Sequence, residues 1–108
     1  MAQKDDIEWG YQLIRRTGII RAQLRQTSVV KKPFQKSFLV CEFDSEDGED
    51  FCLYLFRRHI DNGHQEIYAP SRSDLDFRSV EIGTWWELDI RKTCGGYIYL
   101  KDAKPIDN

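Results

Sequence analysis

Residues 85–100, WWELDIRKTCGGYIYL, alternate in polarity on both sides of a Gly-Gly pair, and no other stretch constrains the fold as much. Trp86, Leu88 and Ile90 fall on one side of the first run, with Trp85, Glu87, Asp89 and Arg91 on the other. After Gly95 and Gly96, Ile98 and Leu100 alternate with Tyr97, Tyr99 and Lys101. Successive side chains of a strand point to opposite faces, so runs with a period of two predict a sheet with one face buried and one wet. The wet face carries flat rings beside cations, a combination suited to stacking unpaired bases.

The remaining chain reads in the same terms. Thr17–Gln26 alternates Ile20, Ala22 and Leu24 against Ile19, Arg21, Gln23 and Arg25, a first strand with a basic outer face. Residues 29–36, VVKKPFQK, are a basic loop or an edge interrupted by Pro33. Ser37–Asp44 is a second strand. SEDGED, residues 45–50, is a turn, because Asp-Gly between two β-rich runs supplies the backbone a tight hairpin needs. Phe51–Arg58, FCLYLFRR, is apolar almost throughout, so both its faces are expected to be covered, by protein or by a ligand. In the long connection 59–83, Ser71 or Ser73 is expected to cap a short helix over about 74–80 with Leu75 and Val80 inward. Gly83 breaks the chain before strands over 84–91 and 97–103. Residues 1–8 form a charged end. In 9–16, Trp9, Leu13 and Arg16 are spaced like one face of a short helix, which Gly10 and Tyr11 oppose. Residues 1–16 are thus an N-terminal extension and 17–108 the folded domain.

Three strands, a short helix and two strands, with a tight hairpin joining the second and third, are similar to the OB-fold. The resemblance covers residues 17–103 and rests on element order and turn positions rather than on a signature motif. It implies a mainly β fold: a five-stranded antiparallel OB-like barrel with one short helix between strands three and four. It also implies a ligand on the outer face of strands two and three, framed by the loops between strands one and two and between four and five. Here the first loop brings Lys31, Lys32 and Lys36, and the second, Lys92–Gly96, is flanked by Arg91 and Tyr97. Strand three adds Tyr54 and Phe56, with Phe38 as a neighbour on strand two, and ends in Arg57, Arg58 and His59. Strand one adds Arg21 and Arg25. Trp85, Tyr97 and Tyr99 make a second platform. In this reading the rings stack bases and the cations neutralise phosphates.

Composition restrains that reading. The 108 residues hold 16 basic and 18 acidic side chains, a net charge of −2, which excludes a polycation that grips nucleic acid by bulk charge. Binding must come from a local patch. Strands also favour rings for packing alone, so Phe38, Phe43, Phe51 and Phe56 have a place in the core, and the lysines of 31–36 have one in a solvated loop. The function expected is a binding module for single-stranded nucleic acid, DNA ahead of RNA. The alternative is a protein-interaction module (adaptor, subunit or small inhibitor), or self-association through Trp85 and the edge near 97–101. The sequence contains no motif for acyl transfer or nucleotide hydrolysis, so no enzyme and no cofactor are expected. His59, Asp61 and His64 lack a further ligand at metal-binding spacing, and Asp44, Glu46, Asp47 and Asp50 lack that of a calcium loop. Three cysteines, Cys41, Cys52 and Cys94, suit free thiols in a reducing compartment. With no leader pattern in MAQKDDIEW and no long apolar run, the expectation is a soluble, cytoplasmic protein without a membrane partner.

Overall fold

Each alternating run forms a strand, and the strands join into one antiparallel sheet. The computed structural model describes residues 11–60 and 65–106. Its strands are β1 (Gly18–Val30), β2 (Phe38–Ser45), β3 (Phe51–Ile60), β4 (Gln65–Tyr68), β5 (Trp85–Lys92) and β6 (Ile98–Ile106). They lie in the order β4-β3-β2-β1-β5-β6. The 13-residue β1 organises the sheet, pairing with β5 over Gly18–Gln23 and with β2 over Ala22–Val30. Its register on β2 slips between Leu24 and Gln26, leaving Arg25 as a bulge. A bulge bends its strand and increases the twist, so β1 can serve both halves of a curved sheet. A second slip, at Lys101 of β6, lets Leu100 and Ala103 both face inward.

The inward rows make one core. Leu24, Leu39, Phe43, Leu53, Leu88 and Ile90 are fully buried, and Trp86 lies beside Phe77 with ring centroids 5.1 Å apart. The alternation of 85–92 is realised: Trp86, Leu88 and Ile90 are buried, Trp85, Glu87 and Asp89 half-buried, and Arg91 exposed. Both faces of the β2–β3 ladder are covered near its hairpin end, where Val40, Glu42 and Cys52 are buried on the side opposite Cys41 and Phe43. Cys41 and Cys52 are free thiols one register step apart, hence on opposite faces.

The sheet is mainly β as expected, but three elements differ. Among the described residues it has six strands rather than five. QEIY, at 65–68, is too short to show a period in the sequence, and its pairing with Arg57–Ile60 makes it a strand. In place of a helix over 74–80 stands a single 3-10 turn, Phe77–Ser79. Asp76, not Ser71 or Ser73, caps it by accepting from the Arg78 N–H, and Phe77 rather than Leu75 fills the core. One buried ring flanked by exposed Arg78 and Ser79 cannot sustain an amphipathic helix face. The sheet is also not closed. β3 and β6 come into contact, yet no backbone ladder joins them among the described residues.

Residues 11–16 are not helical; they pack on the sheet. The Ile14 N–H donates to the Cys52 carbonyl at 2.9 Å, the Cys52 N–H donates to the Gln12 carbonyl at 2.8 Å, and the Ile14 side chain joins the core. Trp9, the charged end and the His64–Asp61 pair lie outside the described residues. Among the described residues no helix is long and apolar enough to cross a membrane.

Candidate functional site

The open seam between β3 and β6 is a groove of about 520 Å³. Leu13, Ile14 and Leu53 are apolar side chains of its lining; Tyr54 and Phe56 line it from β3, and Tyr97, Ile98 and Tyr99 from the β5–β6 turn and β6. Phe56 is 60% exposed, Tyr97 76% and Tyr99 36%, so these rings are not spent on the core. Strand alternation explains the arrangement on β3: Leu53 and Leu55 turn inward, leaving Tyr54 and Phe56 on the outer face.

The row of rings extends onto β2. Phe38 lies directly opposite Phe56 in the ladder. Its ring centroid is 4.9 Å from that of Tyr54 and 5.7 Å from that of Phe56. The Lys32 ammonium sits 5.9 Å over the Phe38 ring, placing the β1–β2 loop, with exposed Lys31 and Lys36, at the end of the row. Burial pushes the Tyr54 hydroxyl pKa up, with Cys52 adding to the rise and the nearby Lys32 opposing it. Lys92 is exposed at the end of β5, opposite Ile98 of the groove.

The structure thus brings Tyr54, Phe56, Tyr97 and Tyr99 together; Lys32 sits over the Phe38 ring that packs on Tyr54 and Phe56, and Lys92 pairs with Ile98 of the groove lining. The candidate arginines are engaged elsewhere, and none lines the groove. Arg21 pairs with Glu46 at 3.3 Å and Arg25 with Asp44 at 3.0 Å, because the β2–β3 hairpin folds its acidic residues back over β1. Arg57 pairs with Glu66 across the β3–β4 ladder at 3.2 Å. Arg58 donates to the carbonyls of Pro70 and Ser73 and pairs with Asp74 at 3.2 Å, tying down the loop after β4. Arg91 pairs with Asp89, two residues back on its own strand, at 2.7 Å. Trp85 is half-buried between Gln23 and Ile106 and does not reach the groove.

Electrostatics make the hairpin end a closed network. Burial raises the Asp44 pKa, but hydrogen bonds from Tyr11 and Arg25 outweigh it and hold the carboxylate below its ordinary value. The same bond to Asp44, with burial, pushes the Tyr11 hydroxyl up to about 12. Hydrogen bonds from Ser45, Arg16 and the Glu49 N–H hold Asp47 far below the usual carboxylate range. Burial, then Glu42, pushes the Cys52 thiol up to about 11, and burial, then Cys52, pushes Cys41 higher still, so neither is a poised nucleophile.

One exposed ring went unread in the sequence. Phe34, in the β1–β2 loop, is fully exposed. The signal was present as an apolar residue after a proline inside a lysine-rich loop, KKPFQK, where nothing calls for a core residue. Compared with profiles of known protein families, with curated proteins and with solved structures, the chain matches none.

Proposed function

We propose that this chain is an OB-like module that binds single-stranded nucleic acid, DNA in the first instance, along the seam between β3 and β6. One observation carries the reading. Tyr54, Phe56, Tyr97 and Tyr99 line one open groove, Phe38 packs against Tyr54 and Phe56, and Lys32 of the lysine-rich loop sits over Phe38. Every base has a flat face, so such a set of rings suits a strand of any sequence. Sheet order supports the OB-like part. A long, bulged β1 is shared between β2 and β5, the seam is partly open, and the groove abuts the outer face of β2 and β3, with β4 as an added hairpin arm. Free thiols on Cys41, Cys52 and exposed Cys94 suit work in the reducing cytoplasm.

The paired arginines narrow the charge side of this reading. Lys31, Lys36 and Lys92 meet phosphates, while Arg21, Arg25, Arg57, Arg58 and Arg91 are held in ion pairs within the fold. Salt dependence is then shallow. Three phosphate contacts at about −0.7 each give a log–log slope of about −2 for a single strand. Fluorescence anisotropy with a labelled oligothymidine of about 12 nucleotides, titrated at about 50 and 200 mM salt, tests it. Saturable binding with that slope is expected, and absence of binding at the lower salt refutes the reading.

A second reading has one observation in its favour: among the described residues, no charged side chain lines the groove itself. An apolar segment of a partner protein would suit that lining. Such a partner would bind with little response to salt and would compete with no oligonucleotide.

A further inference from the structure

Phe34 combines two features that local stability does not explain. It is the one non-glycine residue among the described residues with a positive φ, +59°. It is also fully exposed, so its ring gains nothing from burial. The Gln35 N–H donates to the Lys32 carbonyl at 3.3 Å, closing a four-residue turn with Pro33 second and Phe34 third. Proline fits the second position of such a turn, and here the third takes the positive φ of a type II turn, which glycine adopts without steric cost. A bulky residue there holds strained backbone, and strain of this kind gathers at ligand sites.

Its surroundings indicate the ligand. Lys31, Lys32 and Lys36 flank the ring, and the loop from 31 to 37 contains no acidic residue. Lys32 touches Phe38, where the ring row of the groove begins. The charge complements a phosphodiester backbone, and an exposed ring between cations complements a base.

We propose that Phe34 is a base-stacking residue: it receives one unpaired base beyond the end of the groove while Lys31 and Lys36 meet the flanking phosphates. This rests on the nucleic-acid reading of the groove. A lipid surface also offers phosphates and apolar depth, but one ring beside three lysines is a weak membrane anchor, and continuity with the ring row favours a strand.

The test compares wild type with Phe34→Gly, Phe34→Ala and Phe34→Tyr. It uses the same labelled oligothymidine and, in parallel, vesicles of mixed phosphatidylserine and phosphatidylcholine. Phe34→Gly relieves the turn, so its melting temperature is expected to equal or exceed that of wild type. Its oligonucleotide affinity is expected to fall about 5- to 150-fold, the measured range for one base–ring stack. The salt slope stays unchanged because the lost contact carries no charge. Phe34→Ala follows Phe34→Gly in affinity, and Phe34→Tyr restores wild-type binding. If wild type binds the oligonucleotide and Phe34→Gly binds it equally well, this inference is overturned and the groove reading stands. If wild type does not bind at all, both fall. If Phe34→Gly loses only vesicle binding, the ring serves a lipid surface and the inference is overturned.

Discussion

The two ends of the β1–β2 ladder are built from similar numbers of cations and behave oppositely. At the hairpin end, Arg16, Arg21 and Arg25 are each held by a carboxylate of residues 44–49. At the loop end, Lys31 and Lys36 stand exposed, Lys32 leans over Phe38, and the rings of Phe34 and Phe56 face solvent. A forked guanidinium and a nearby carboxylate satisfy each other and leave little for a ligand. The exposed ammonium groups of Lys31 and Lys36, in the same loop as the exposed Phe34 ring, leave both kinds of group to offer. A basic residue therefore signals binding only after its neighbours are known.

That contrast breaks most readily at the rings. Tyr97→Ala combined with Tyr99→Ala is expected to remove about 1–3 kcal/mol of oligonucleotide affinity per ring. The melting temperature should shift little, since both side chains are open to solvent. Anisotropy and thermal melts read the two effects separately, and an unchanged Kd would remove the groove from consideration. Next in size is Ile14→Ala. Ile14 is buried in the core and lines the groove, so urea denaturation should show a loss of about 2–5 kcal/mol. Its exposed neighbour should behave differently, with Leu13→Ala staying within about 0.5 kcal/mol of wild type.

Charge substitutions sharpen the comparison further. Lys31→Ala and Lys36→Ala should each flatten the log–log salt slope by about 0.7. Arg21→Ala and Arg25→Ala should leave that slope alone; if instead they flatten it equally, the ion pairs do not withhold these arginines from the ligand.

The smallest effects concern pH and belong to the hairpin end. Asp44 and Asp47 have lowered pKa values in the folded chain. Their stabilisation is present above the ordinary carboxylate value of about 3.9 and is lost as pH falls through the lowered folded values. Tyr11 is raised to about 12, so its contribution is complete below about pH 10 and disappears as pH rises from there toward the folded value. Tyr11→Phe should cost about 1 kcal/mol at neutral pH and reduce the alkaline loss, the remainder of which belongs to Cys41, Cys52 and Tyr54, whose pKa values are also raised. Denaturation midpoints at pH 7 and above pH 10 check this, and equal alkaline losses in the two proteins would show that Tyr11 is not the group involved.

Strand positions were legible because alternation is a local property. Trp86, Leu88 and Ile90 had to share a face once 85–92 was extended, and Asp-Gly at 47–48 had to turn between two apolar runs; Gly48 indeed takes positive φ, +89°. The clustering of Tyr54, Phe56, Tyr97 and Tyr99 was foreseeable only through the resemblance in element order, since residues 54 and 97 meet across a seam that no local pattern encodes. The 3-10 turn and β4 were illegible for a related reason. Four residues are too few for a period, and one buried Phe77 decides a turn that propensity leaves open.

Composition and alternation by themselves determined a small antiparallel β protein with a single core and no surplus of positive charge. Those follow from side-chain polarity and strand geometry, which act over a few residues. Tertiary structure alone decided that Arg16, Arg21 and Arg25 would be neutralised and which rings would escape burial. Both depend on contacts between segments distant in sequence, so no short window of the sequence could contain them.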